Sequence, residues 1–137
     1  ENIKVIPFTV PHRDEYSETV CFLIISKQKK LIYIPDIDKW NLWDKNILEI
    51  IKSVDYALID GTFYDEYELE RDMSKIPHPF VCESMELFKN LSNKEKNKIF
   101  FTHLNHTNPL LIKNSIQQKE VIVKGFNIAQ EKMILKL

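Results

Sequence analysis

The residues able to do chemistry in this chain are imidazoles and carboxylates placed where apolar runs end. Ile34-Pro35 leads into Asp36, Tyr56-Ala57-Leu58-Ile59 into Asp60, and Ile99-Phe100-Phe101-Thr102 into His103, while His12 follows the apolar opening run, residues 3–10. If these runs are strands of one sheet, their carboxyl ends gather side chains from distant parts of the sequence into a single site. Two histidines with one or two aspartates supply nitrogen and oxygen donors and no thiolate, the ligand chemistry of a catalytic zinc, iron or manganese site. Each residue also has an ordinary role open to it, as a turn or helix cap for an aspartate and a solvated loop position for a histidine. The segment His103-Leu104-Asn105-His106-Thr107-Asn108-Pro109 is harder to read in that way. So many polar groups between a buried strand and a helix are costly unless they meet a ligand or one another. Asp60-Gly61 alone is also a plain turn. Tyr56, Phe63, Tyr64 and Tyr67 read as core or as a pocket lining, and Trp40 and Trp43 as a cover over the first helix.

The elements that must position these groups follow from hydrophobic periodicity. Residues 3–10 read as a strand interrupted by Pro7, and residues 20–26 and 31–34 as a hairpin across the charged turn Lys27-Gln28-Lys29-Lys30. Ile47, Leu48, Ile51 and Val54 give a helix over residues 44–54. A short strand at 56–59 precedes a long acidic loop, and a second helix is expected over 84–91 with Ser84 as its cap. Residues 93–98 read as a solvated charged turn, 99–102 as a buried strand, and 109–118 as a third helix with proline in its first turn. Residues 120–124 and 132–137 are expected to close the sheet as two strands around Gly125. The order implies an α/β fold with a mixed sheet.

Composition narrows the function classes. A chain of 137 residues, 44% hydrophobic and 28% charged, is one globular domain with a real core. With 19 Lys plus Arg against 20 Asp plus Glu, the net charge of −1 gives no broad basic face, so nucleic acid is not an expected partner. No apolar run reaches the ~18 residues of a membrane span. Two cysteines, Cys21 and Cys82, form neither a disulfide framework nor a thiolate zinc module, and a reducing cytoplasm is the expected location. Two glycines exclude the glycine-rich phosphate loops.

Five ordered motifs carry a resemblance across almost the whole chain. They are Val10-Pro11-His12-Arg13-Asp14-Glu15-Tyr16-Ser17-Glu18-Thr19-Val20, Tyr33-Ile34-Pro35-Asp36-Ile37-Asp38-Lys39-Trp40, Ile59-Asp60-Gly61-Thr62-Phe63, Ile76-Pro77-His78-Pro79-Phe80 and His103-Leu104-Asn105-His106-Thr107-Asn108-Pro109. Together they resemble the metallo-β-lactamase-fold proteins of the pyrroloquinoline quinone (PQQ) biosynthesis protein B family, close in pattern to the ribonuclease Z and phosphodiesterase branch. The resemblance implies that His12 and His103 bind metal and that Asp36 bridges two ions. It implies that His78 handles the leaving group with Asp60 orienting it; Arg13, Asn105 and His106 beside them are the expected substrate contacts. The implied cofactor is zinc, with iron or manganese as alternatives, dinuclear in the full-length protein.

The superfamily signature His-x-His-x-Asp-His does not occur in these residues. The resemblance therefore makes residues 1–137 the C-terminal part of a metallo-β-lactamase-like domain, with the N-terminal half absent. The expected fold is half of an αββα sandwich, α/β or α+β by some schemes, with helices on one face of a mixed sheet. The implied function is a metal-dependent hydrolase or oxidoreductase acting on a small molecule, away from membranes. A phosphodiesterase of the ribonuclease Z-like branch, and a non-catalytic carrier or inactive fragment, are the alternatives. This chain alone is expected to bind metal weakly and to be inactive, and the apolar sheet face to form a homodimer or another association.

Overall fold

The computed structural model describes residues 2–13 and 16–137; Asp14 and Glu15 of the first motif lie outside them. Six strands form one sheet in the order β1 to β6: β1 (Lys4–Thr9), β2 (Val20–Ile25), β3 (Lys30–Ile34), β4 (Tyr56–Asp60), β5 (Ile99–Thr102) and β6 (Asn127–Ile128). The first three pair antiparallel, and β3 through β6 run parallel. Two antiparallel steps return β1 to the direction of β3. The chain therefore leaves β1, β3, β4 and β5 at the same rim, and His12, Asp36, Asp60 and His103 are delivered there by topology alone.

Alternation along the strands divides the sheet into two faces. Ile32, Ile34, Ala57, Ile59, Ile99 and Phe101 are buried together with Ile47 and Ile51 of α1 (Ile47–Ser53), Val81 and Met85 of α2 (Val81–Leu87) and Val121 of α4 (Ile116–Val123). On the opposite face, Phe22, Tyr33, Leu58 and Phe100 stand side by side across four strands and are only half-buried. The helices thus lie against one face of a mixed sheet. Among the described residues no helix is long and apolar enough to cross a membrane.

Several local expectations are corrected. The second helix begins at Val81, three residues before Ser84, and ends at Leu87. Glu83 accepts a hydrogen bond from the Phe80 N–H at 2.9 Å, while Ser84 is buried inside the helix and accepts from Trp40 Nε1 at 2.9 Å. The indole therefore locks the chain after β3 onto α2. The charged turn contains a single helical turn, α3 (Asn93–Lys96), because Ser92 and Glu95 cap one another. The third helix is split. Pro109–Leu111 is one 3₁₀ turn capped by Asn108, Asn114 takes a left-handed φ of 64°, and Ser115 starts α4 anew. Residues 120–124 are accordingly the end of a helix and not a strand, and 132–137 form no strand. The free edge of β5 is taken instead by β6, parallel to it, so there is no closing hairpin.

Gly61, directly after β4, marks the tightest packing next to the rim. A Cβ there would lie 2.9 Å from Phe101 Cβ and 3.1 Å from both Leu104 Cδ2 and the Thr102 carbonyl. Gly61→Ala is expected to cost about 1–3 kcal/mol by overpacking, measured by urea denaturation. A neutral result would show that β5 can move away from β4 at this level.

Candidate metal centre

Three loops are clamped together before any functional group is considered. Asp38 N–H donates to the Pro11 carbonyl at 2.7 Å, and Trp43 Nε1 donates to the Thr9 carbonyl at 3.2 Å, which holds the His12 loop against the chain after β3. Ile37 N–H donates to Asp60 Oδ2 at 3.1 Å and joins that chain to β4. Val81 and Cys82 N–H donate to the Phe63 and Tyr64 carbonyls, seating the start of α2, with Ile76-Pro77-His78-Pro79 ahead of it, over the same rim.

The result brings His12, Asp36 and His78 together, with ligand atoms all within 4.8 Å of one another. His12 Nε2 and Asp36 Oδ1 are 2.8 Å apart, and their side chains are 15% and 33% exposed. At that separation they count as an ion pair, yet both atoms are buried and neither makes a hydrogen bond of acceptable angle. Two acceptor lone pairs facing each other in a buried place are unfavourable unless a cation or proton lies between them. The imidazole and carboxylate donors match zinc chemistry.

Asp60 is the organiser of the rim. It is fully buried. Its carboxylate accepts from Ile37 N–H (3.1 Å), Thr62 N–H (2.8 Å), Thr62 Oγ1 (2.7 Å) and His78 Nδ1 (2.8 Å). Thr62 Oγ1 also lies 3.0 Å from His103 Nδ1. A hydroxyl has one proton, and Thr62 gives it to Asp60, so it must accept from His103 Nδ1–H. One buried carboxylate thereby sets the tautomer of two imidazoles, leaving Nε2 as the free nitrogen of both neutral rings. His103 is exposed and adopts a left-handed φ of 59°, a conformation uncommon outside glycine.

Of the residues singled out from sequence, His12, Asp36, His78 and Asp60 share one cluster. His103 is at its margin, its ring centroid 6.4 Å from that of His78, and it does not join the group of mutually close ligand atoms. Arg13 lines a cleft that opens on His12 and His78. Asn105 and His106 line a neighbouring cleft with Phe63 and Arg71. Asn108 proves to be structural: buried, it donates to the Gly61 and Thr62 carbonyls and caps Leu110. Phe63 and Tyr64 are buried, with Phe63 edge-on to His78 at 5.9 Å, whereas Tyr67 is solvent-exposed. Thr62 was not singled out. Its signal was the Asp-x-Thr spacing, which lets a hydroxyl turn back onto a carboxylate two residues earlier.

His78 is held above the ordinary imidazole value of 6.5. Burial pulls it down, but this is outweighed by the hydrogen bond and charge of Asp60 and the charges of Asp36 and Asp38. A raised folded-state value means that protonated His78 favours the fold; the contribution is complete below the unfolded value and is lost as pH rises through the folded one. The stability difference between the parent and His78→Gln should thus be largest on the acid side of 6.5 and shrink at higher pH. Urea denaturation at stepped pH measures it, and a difference growing with pH would contradict the assignment.

Residues 1–104 match the family model described as the beta-lactamase superfamily domain. The chain belongs to that superfamily, and its sheet and helices are those of the metallo-β-lactamase fold. Within it, the chain is similar to the coenzyme PQQ synthesis protein B of Acinetobacter baumannii (strain ACICU), at 28% identity over 158 residues covering 100% of this chain and 50% of that protein. The protein of the same name from Nitrosococcus oceani is 27% identical over 136 residues, covering 90% and 42%. The crystal structure of zinc-bound PqqB from Methylobacterium extorquens superposes with a TM-score of 0.75 at 23% identity, over 98% of this chain and 50% of that one. The chain spans about half the length of the curated relatives it matches.

Proposed function

We propose that this chain carries part of a divalent-metal centre of a metal-dependent hydrolase or oxidoreductase resembling PQQ synthesis protein B, acting on a small molecule. The observation that carries the reading is the buried contact of His12 Nε2 with Asp36 Oδ1, close but not hydrogen-bonded. Zinc is the proposed ion, supported by the donor set and by a relative whose structure is described as zinc-bound. His12 and Asp36 are the ligands, with His103 Nε2 presented by the Thr62 contact as a third donor. When bound, the ion supplies Lewis acidity that polarises an oxygen at the rim.

The remaining roles belong to the protein's own groups. His78 keeps a proton on Nδ1 through Asp60 and presents Nε2, so it can take or give a proton at a departing group beside Asp36. Thr62 and Asp60 hold the imidazoles in one tautomer. Arg13, Asn105 and His106 border the clefts where substrate would lie. Three ligands shared between ions bind weakly, because an open zinc site normally takes at least three from the protein for one ion. The half-buried row Phe22, Tyr33, Leu58 and Phe100 is the proposed association face, covered by another sheet or a second copy.

Zinc titration against a chromogenic chelator tests the reading. The chain should take up zinc weakly, and thermal stability should rise with zinc concentration as mass action requires. Uptake no greater than that of a His12→Ala/Asp36→Ala double variant would overturn it.

A further inference from the structure

Beside the candidate metal centre lies a cleft of about 400 Å³ whose wall carries three cations. Arg13 comes from the His12 loop, while Arg71 and Lys75 come from the long loop between β4 and α2. Among the described residues, none of the three is in an ion pair; the salt bridges found involve other lysines and the histidines. Among the described residues Asp72 is the single acid on the lining, and its Oδ1 is already taken by Ser74 N–H and Oγ. The described residues of the lining thus carry a surplus of two positive charges in a chain whose net charge is −1.

The placement is specific. Arg13 Nη2 donates to the Lys75 carbonyl at 3.4 Å, which draws the two loops together and leaves the other guanidinium nitrogens free. Phe63 and Ile76 supply an apolar wall, and His12 and His78 form the end next to Asp36. Like charges gathered without carboxylate partners repel each other, a cost that an anionic ligand removes. Guanidinium and ammonium groups beside an apolar wall match a ligand with oxyanions on an apolar body.

From these groups we infer that Arg71 and Lys75, with Arg13, form the binding site for a small oxyanion-bearing substrate, one with two carboxylates or a phosphate on an apolar body. The inference rests on the metal reading for what happens at His12 and Asp36, though not for the binding itself. The size of the cleft suits one small molecule. The charged groups of the substrate sit at Arg71 and Lys75, and its other end faces the His12–Asp36 pair.

The test is calorimetric titration of the metal-free chain at low ionic strength with benzene-1,3-dicarboxylate, phenyl phosphate and the neutral benzene-1,3-dicarboxamide. At least one dianion should bind and the diamide should not, and the two dianions distinguish a carboxylate pair from a phosphate. Arg71→Gln and Lys75→Gln should each weaken dianion binding about tenfold, the loss expected for one charge-assisted hydrogen bond. A Lys94→Gln/Lys119→Gln control, which removes two cations that do not line the cleft, should leave it unchanged. Equal binding of the diamide, or equal affinity in parent and Arg71→Gln/Lys75→Gln, would overturn the inference. Zinc uptake measured on the same samples separates the two readings. A chain that binds the dianion but takes no zinc refutes the metal centre alone.

Discussion

Asp60→Ala should cost about 3–5 kcal/mol of folding stability, the largest effect expected of any single substitution at the rim. The carboxylate is fully buried and accepts four hydrogen bonds drawn from three segments, Ile37, Thr62 and His78. Its removal strands those donors and takes from His78 the hydrogen bond and charge that raise its pKa. Asp60→Asn should recover only part of the loss. One end of the amide must point an N–H at donors already on that side, either Thr62 or the pair Ile37 and His78. Urea denaturation measures both variants, and a cost below about 1 kcal/mol for Asp60→Ala would place the carboxylate outside the fold's essential polar network.

The rim was legible because it follows from strand direction. Residues ending parallel strands must meet at one edge, so Asp36, Asp60 and His103 could be placed without knowing any loop, and β1 adds His12 by two antiparallel reversals. His78 was different. It lies in a loop with no periodicity, and only its resemblance to a family motif pointed to it. The proton count through Thr62 needs distances, which spacing alone cannot supply.

The C-terminal third departs from its sequence pattern for a clear reason. Val121-Ile122-Val123 is β-branched and reads as a strand, but Ser115 Oγ caps Gln118 N–H and Val121 is buried in the core. Tertiary burial and a cap outweigh the modest strand preference of three residues. Asn108 in the polar cluster shows the reverse case, a residue that looks functional and instead satisfies backbone carbonyls around Gly61.

The second large effect concerns metal affinity. His12→Ala is expected to lower zinc affinity by about a hundredfold or more, since a site with so few protein ligands cannot lose one and remain a site. Thr62→Val, which touches no metal, should still weaken zinc by about 10–100-fold, the usual consequence of removing a partner that orients a ligand. The valine cannot accept from His103 Nδ1–H, so the tautomer presenting Nε2 is no longer selected. Thr62→Ser retains the hydroxyl and should restore most of the affinity. Chelator-competition titration of the three variants measures the series, and a serine variant as weak as the valine would remove His103 from the account.

A cation between His12 and Asp36 is what the unpartnered contact of these two side chains calls for. X-ray absorption spectroscopy at the zinc edge, on the zinc-loaded chain and on its His12→Ala variant, tests that most directly. The expected result is a first shell of nitrogen and oxygen alone at about 2.0–2.2 Å, with imidazole outer-shell scattering that falls when His12 is removed. A shell containing sulfur at about 2.3 Å, which would place the ion on Cys82, or a spectrum unchanged in His12→Ala, would contradict it.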